Sequence, residues 1–344
     1  MSEEKKRILR DKSFYFGNAV GQGMALSVEE ALGKNLNDFR GWYCAIGVEN
    51  LHISPDGNIY GAACRNSGHL GNVYDQGFFL SGKWHLCTRS SCSCGADMQL
   101  RKVKDPRYIP QTYLDIPDDL VTDLKDPVYA APVHQDVHRT HPLTLTWDIG
   151  RRCNYSCSYC QPAVSNTYEA HRTWGSLLFA YEGIEKFFLE KRKAKFVFTG
   201  GEPTINPSYL ELVKLLRSNG HLIHTTTNGS RTADYFADLI DLSFIGFSYH
   251  LEFAKIEHYK KVMSAIIERK KSSKQAFDNW CAVRIMVPPG KLNQALQARA
   301  EMLALDSFEQ VGLMVFLSPC YDKFVHTQMM DYSEDELTQI SRLG

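Results

Sequence analysis

The sequence predicts an α/β fold: a partial (β/α)6 barrel of the TIM type, preceded by a small cysteine-rich module built on a β-hairpin. Three observations predict it. Residues 143–320 alternate short apolar runs with stretches whose apolar residues recur at helical spacing. Eight of the ten cysteines fall into two groups, and only Cys281 and Cys320 stand alone. Well ahead of the alternating region, Pro55-Asp56-Gly57-Asn58 separates two apolar runs, which is a hairpin signal.

The bulk numbers narrow the class. At 344 residues the chain is long enough for roughly two or three domains. Lys plus Arg and Asp plus Glu both total 39, so no net charge pulls the chain toward nucleic acid or an anionic membrane. No run approaches the ~18 apolar residues of a spanning helix. The first residues, MSEEKKRILRDKSF, lack the apolar core of a secretory signal. A cytoplasmic location is therefore expected, where thiols stay reduced and clustered cysteines read as metal or cluster ligands.

Along the chain, residues 27–36 read as a helix, and 50–54 with 58–62 as the hairpin. Residues 1–104 form the cysteine-rich module. Residues 105–142 carry Pro106, Pro110, Pro117, Pro127, Pro132 and Pro142 with few periodic apolar residues, and read as a linker. The alternating region then gives strands at 143–149, 195–199, 221–227, 242–248, 280–287 and 310–317. Helices at 174–190, 207–218, 232–239, 256–271 and 292–303 separate them. Strict alternation predicts parallel strands joined by right-handed crossovers. Six units are too few to close an eight-unit barrel, and the active site is expected at the C-terminal strand ends. Residues 321–344 read as a tail.

Just past the first barrel strand come Cys153, Cys157 and Cys160, spaced C-x3-C-x2-C. Three close thiolates hold three irons of a 4Fe–4S cube and leave the fourth iron open. The competing reading is a zinc site, with His171 as the fourth ligand. The triplet, with an aromatic before its last cysteine, resembles the signature of the radical S-adenosylmethionine (SAM) superfamily. The resemblance implies a 4Fe–4S cluster whose open iron chelates SAM, reductive cleavage to a 5′-deoxyadenosyl radical, and hydrogen abstraction from a substrate. It also implies a reductant such as flavodoxin or ferredoxin.

Later strand ends extend the resemblance. Gly200-Gly201-Glu202-Pro203 looks like the family's GGEP segment, in which two glycines let backbone approach a ligand and the Glu202 carboxylate faces the methionine ammonium. Thr226 and Asn228 are implied near the methionine or ribose, Ser248 near the ribose, and Tyr159 beside the adenine. Arg284 lies inside a strand, where an unpaired charge is expensive, so a SAM carboxylate or a barrel acid is its expected partner. His250, at the end of the fourth strand, is the candidate catalytic residue, with a satisfied strand-end histidine as the plain alternative. The family's Gly-rich motif on the fifth strand is absent. Cys281 and Cys320 read as buried, inert thiols.

Cys44, the Pro-Asp-Gly hairpin, Cys64, Leu70-Gly71-Asn72 and the group Cys87, Cys92, Cys94 resemble a SPASM or twitch auxiliary-cluster module over residues 41–97. Here the module precedes the barrel, and the interval from Gly57 to Cys64 is longer than usual. Five cysteines allow one auxiliary 4Fe–4S cluster held by four of them, with Cys87, Cys92 and Cys94 favoured. A structural zinc knuckle accepts the same thiolates. Because SPASM-type enzymes commonly modify peptides, the resemblance implies hydrogen abstraction from a peptidyl or small-molecule substrate. A nucleotide or modified nucleic acid is the alternative within the same chemistry, ranked lower because no dense Lys/Arg–aromatic surface marks a nucleic-acid binder. A non-catalytic zinc-binding scaffold is the alternative outside it.

Overall fold

The structure is a computed structural model that describes residues 12–75, 78, 80, 82–92, 95–109, 116, 119–133, 140–141, 143–163, 165–324 and 328–344. The chain divides into two compact units. The first comprises residues 1–53, 57–145 and 180–195, the second residues 54–56, 146–179 and 196–344.

In chain order the first unit contains β1 (Phe14–Gly17), β2 (Gln22–Leu26), α1 (Val28–Gly33), β3 (Tyr43–Cys44), β4 (Asn50–Ile53), β5 (Asn58–Tyr60) and β6 (His69–Asn72). After these come β7 (His85–Leu86), α2 (Gly95–Met98), β8 (Lys102–Val103), β9 (Asp119–Leu120) and β10 (Tyr129–Pro132). Seven of these strands make one sheet, ordered β7-β3-β8-β10-β1-β2-β9. Phe14 and Phe16 of β1 are buried with Phe39, Trp42 and Met98. Phe16 stacks on Phe39 with ring centroids 5.9 Å apart, and Trp42 meets Phe39 edge-on at 5.5 Å. Such pairs add to the area term because the ring quadrupoles favour these geometries. The expected helix is α1. Its start is fixed by a capping box in which Ser27 Oγ accepts from Glu30 N and Glu30 Oε2 accepts from Ser27 N.

The expected hairpin is β4 and β5, antiparallel with His52 opposite Tyr60 and Ile53 opposite Ile59, and β6 adds a third strand. Gly57 takes φ +87°, and a Cβ there would lie 2.3 Å from the Tyr74 ring, so the position admits glycine alone. The stretch read as a linker contributes more than a connection. Within it, β10 pairs antiparallel with both β1 and β8 and buries Ala130 and Ala131.

The second unit is a mixed α/β fold on a parallel sheet. From Leu143 the elements run β11 (Leu143–Asp148), α3 (Trp174–Ile184), β12 (Ala194–Thr199), α4 (Tyr209–Ser218), β13 (Leu222–Thr227), α5 (Ala233–Leu239), β14 (Phe244–His250) and α6 (Ile256–Ser272), with residues 143–145, 180–184 and 194–195 belonging to the first unit. Then follow α7 (Lys274–Asp278), β15 (Cys281–Val287), α8 (Leu292–Leu303), β16 (Leu313–Pro319) and α9 (Glu334–Leu343). Strands β11 to β16 neighbour one another in sequence order. The ladders β13–β14, β14–β15 and β15–β16 are parallel. The expected strands and helices of residues 143–320 are all present, shifted by a few residues at their ends. The stretch read as a tail carries α9, which opens on a second capping box and buries Ile340.

Burial alternates along each strand, as the period of two requires. On β14, Ile245, Phe247 and Tyr249 are buried, whereas Gly246, Ser248 and His250 are only half-buried on the opposite face. The buried row meets helices: Phe247 packs on Phe236 at 4.9 Å and on Tyr259 at 5.9 Å, and Tyr249 on Tyr259 at 4.7 Å. Tyr259, Val262, Met263, Ile266 and Ile267 are the buried stripe of α6. No helix among the described residues is long and apolar enough to cross a membrane.

Phe247 is 1% exposed at the centre of this packing. Phe247→Ala is expected to destabilise the second unit by about 3–5 kcal/mol, the usual cost of deleting a buried aromatic. A fall in the urea midpoint followed by circular dichroism measures it, and an unchanged midpoint would contradict the packing described.

Candidate active site

The site is built where the chain leaves β11. Gly150 takes φ +154° and turns the chain into Arg151-Arg152-Cys153. Ile149 N donates to Thr199 O at 3.2 Å, Gly201 N to Gly150 O at 2.9 Å, and Glu202 N to Arg152 O at 2.8 Å. The Gly200-Gly201-Glu202 segment is thus bonded along the backbone that leads into the cysteines. A Cβ on Gly201 would sit 2.3 Å from Arg152 O and 2.5 Å from Arg151 O, and one on Gly200 would sit 2.7 Å from Gly150 O. Within the chain, the two glycines serve a backbone-to-backbone approach. The sequence alone assigned their freedom to a ligand.

Glu202 is 2% exposed. Its Oε1 accepts from Thr204 N at 3.0 Å, Thr204 Oγ1 at 2.6 Å and Thr227 Oγ1 at 2.7 Å, and its Oε2 accepts from Asn228 N at 2.5 Å. Its pKa is raised, because burial outweighs these donors, and no Lys or Arg forms an ion pair with it among the described residues. Beside it lies a shallow, half-open pocket lined by Glu202, Asn206, Arg152, His171, Arg172, Gly150, Ile149 and Ala170. His171 lines this pocket, where burial and then the Arg152 charge hold its pKa down. Among the described residues no group of three or more His, Cys, Asp or Glu is arranged around a single metal ion.

The three thiols sit on one short loop, partly exposed and free of disulfides. Tyr155 N donates to Cys153 Sγ at 3.4 Å and Cys160 N to Cys157 O at 3.0 Å. Asn228 Nδ2 donates to Asn154 Oδ1 at 2.9 Å and reaches Cys153 Sγ at 3.9 Å. Residues at and just after the end of β14 hold the other side. His250 Nδ1 bonds the Tyr159 hydroxyl at 2.8 Å, with the rings stacked at 5.8 Å. Glu252 Oε2 accepts from Ser158 N at 2.8 Å and Oε1 from the Ser158 hydroxyl. Phe253 stacks on Tyr155 at 5.2 Å. Burial pushes the Cys157 thiol up to about 12, with the neighbouring Cys160 and Glu252 adding to it, and burial also raises Cys153 and Cys160. An all-sulfur donor set that needs a cation to ionise fits an iron–sulfur cluster.

The hydrogen bond to Tyr159 ties His250 to the cysteine loop. Burial lowers its pKa to about 4, so it is neutral at pH 7. Thr226 and Ser248 lie on the half-buried face of the sheet, with Thr226 in register with Gly246 and Ser248 with Arg284. Arg284 is exposed, so the burial cost expected for it does not arise. Cys281 and Cys320 are buried, as expected, and burial pushes both thiols up to about 12. Sequence reasoning passed over Asn154, Tyr155, Ser158, Thr204, Thr227, Glu252 and Phe253. Thr204 and Thr227 flank the motifs already singled out and were within reach of it. Glu252 and Phe253 carry no local signal.

In the first unit, Cys44 and Cys64 each lie within electrostatic reach of the other and of Cys87 and Cys92. Burial pushes Cys44 up to about 11 and Cys64 and Cys92 up to about 12, and neighbouring thiols add to each. Cys44 stands opposite Lys102 in the β3–β8 ladder. Asp97, 2% exposed, accepts from Cys64 N at 2.8 Å. Cys94 lies outside the described residues.

The family model described as the radical SAM superfamily matches residues 147–303. These residues are a radical SAM domain. Its span holds the cysteine triplet, the Gly-Gly-Glu-Pro segment and strands β12 to β15. Several curated relatives are named as enzymes. One is GTP 3′,8-cyclase of Petrotoga mobilis, 28% identical over 194 residues, 55% of this chain and 55% of that protein. A protein of Methanocaldococcus jannaschii named as a glycyl-radical enzyme activating enzyme is 32% identical over 91 residues, 26% of this chain and 31% of that one. The 7-carboxy-7-deazaguanine synthase of Clostridium acetobutylicum is 26% identical over 120 residues, 35% of this chain and 52% of that one. The chain spans about half or less of the length of these relatives.

Two outcomes are expected at the radical SAM site. Gly201→Ala forces its Cβ onto the Arg151 and Arg152 carbonyls and is expected to lower the iron retained after anaerobic reconstitution at least severalfold; retention at the parent level would contradict the docking. His250 has a depressed folded pKa, so its contribution to stability is full above its unfolded pKa of ~6.5 and is lost as pH falls toward about 4. Urea midpoints compared between the parent and His250→Phe are expected to converge as pH drops from 7 to 4.5. Parallel curves would exclude that titration.

Proposed function

We propose that the protein reductively cleaves SAM and uses the product radical to abstract hydrogen from a purine nucleotide. The observation that carries the reading is the cysteine loop bonded directly to the segment bearing Glu202, a buried acid with no Lys or Arg ion pair among the described residues. When bound, a 4Fe–4S cluster with SAM supplies one electron to the sulfonium and so a 5′-deoxyadenosyl radical. The chain's own part is binding, orientation and exclusion of water. Cys153, Cys157 and Cys160 would hold the cluster. Glu202, with Gly200 and Gly201, would meet the methionine ammonium, and Arg152 or Arg172 its carboxylate. Tyr159, Thr226, Asn228 and Ser248 would flank the nucleoside, and Arg284 would stand by SAM or by an anionic substrate group. The parallel sheet is read as a partial (β/α)6 barrel.

The substrate class draws on two relatives whose names concern guanine compounds, GTP 3′,8-cyclase and 7-carboxy-7-deazaguanine synthase. The gathered thiols of Cys44, Cys64, Cys87 and Cys92 support an auxiliary 4Fe–4S cluster on a SPASM- or twitch-like module. A low-potential flavodoxin or ferredoxin in the cytoplasm would deliver the electron.

The test is anaerobic reconstitution followed by SAM and dithionite. Formation of 5′-deoxyadenosine is expected, and Cys157→Ala is expected to abolish it; cleavage that survives the substitution overturns the assignment. About eight irons per chain support two clusters and about four support one. Faster cleavage with GTP than with a panel of synthetic peptides supports the nucleotide, and the reverse order supports a peptide.

A further inference from the structure

Three residues following one another closely, His250, Glu252 and Phe253, grip Tyr159, Ser158 and Tyr155, three of the five residues interleaved among the three cysteines. The grip is rigid at its base, because Phe253 N and Ala254 N both donate to His250 O, the latter at 2.8 Å. Glu252 differs from its two neighbours in bringing a full charge. Both its oxygens are taken by Ser158, which lies between Cys157 and Cys160 and has Cys157 as its immediate neighbour. Ser158 N and the Ser158 hydroxyl are its hydrogen-bonding partners, and no lysine or arginine forms an ion pair with it among the described residues. Glu252 is exposed, so its charge costs little to keep, yet the groups that feel it include Cys157, Tyr159, His250 and Cys320.

We infer that Glu252 is a positioning residue with two effects: its two bonds to Ser158 fix the cysteine loop, and its negative charge lowers the reduction potential of a cluster held there. The sign follows from Coulomb's law, since an added electron on the cluster is repelled by a nearby carboxylate. A lower potential makes the electron a stronger reductant for a sulfonium and makes it harder to load. This inference rests on the proposed cluster for its second effect and on the chain alone for its first.

Both effects are measured on the full chain. On metal-free protein, hydrogen exchange followed by NMR is expected to show the Ser158 amide at least tenfold less protected in Glu252→Ala, and close to the parent in Glu252→Gln, whose amide oxygen still accepts. On reconstituted protein, the cluster signal that SAM perturbs is followed by electron paramagnetic resonance at fixed potentials. Glu252→Gln is expected to load iron like the parent and to raise the ratio of reduced to oxidised cluster about tenfold, or 59 mV for one electron. Glu252→Ala should show the same shift with less iron retained. A ratio within about twofold of the parent in Glu252→Gln overturns the charge effect, and unchanged Ser158 exchange in Glu252→Ala overturns the positioning. A parent that never gives a SAM-perturbed signal sinks the proposed function instead, and the exchange experiment then decides the role of Glu252 by itself.

Discussion

The second unit is organised around one backbone contact: the Gly200-Gly201-Glu202 segment lying against Gly150-Arg151-Arg152. Each bond in it is an ordinary amide–carbonyl pair, worth roughly 1 kcal/mol net. Its consequence is positional. Because Gly201 has no side chain, the segment comes close enough for Glu202 N to reach Arg152 O. That carbonyl immediately precedes Cys153, so the register of the cysteine loop is set by the end of the neighbouring strand. A methyl group at Gly201 removes the contact, and no rotamer change can rescue it because both obstacles are backbone oxygens.

From that contact the site spreads by polar bonds rather than by packing. Glu202 binds Thr204 on its own turn and Thr227 and Asn228 at the end of β13. Asn228 passes the connection on to Asn154 in the cysteine loop, and Tyr259 ties Asn228 O to Ser248 O of β14. Consecutive strand ends are thus joined through a single buried carboxylate and a single asparagine. Four neutral donors stabilise the charge of this buried acid without neutralising it, and no Lys or Arg pairs with it among the described residues.

How much of this was legible depends on length scale. The second unit was readable nearly end to end because its strands are six or seven residues long and its larger helices carry buried stripes, so periods of 2 and 3.6 had room to show. The seven-stranded sheet of the first unit was not. Tyr43–Cys44, His85–Leu86, Lys102–Val103 and Asp119–Leu120 are two-residue strands, too short for any period, and their partners are distant in sequence. Tyr129–Pro132 hid among prolines and aspartates, which read as linker composition although Ala130 and Ala131 are buried at the middle of a sheet. At the site, motif residues such as Glu202 and Asn228 could be named in advance, but the partners they would hold could not.

Glu252 marks where sequence reading stops. It lies 94 residues from Ser158, on a turn with no motif, and nothing in its neighbourhood distinguishes it from any exposed surface glutamate. What gives it a role is the parallel sheet, which delivers the end of β14 to the level of the loop that follows β11. Three side chains from that one turn then meet three residues that the cysteine spacing leaves free. The spaces in C-x3-C-x2-C are therefore not filler. Tyr155, Ser158 and Tyr159 each carry a specific contact, and a loop with the same cysteines but inert residues between them would keep its thiols and lose the contacts that hold it in place.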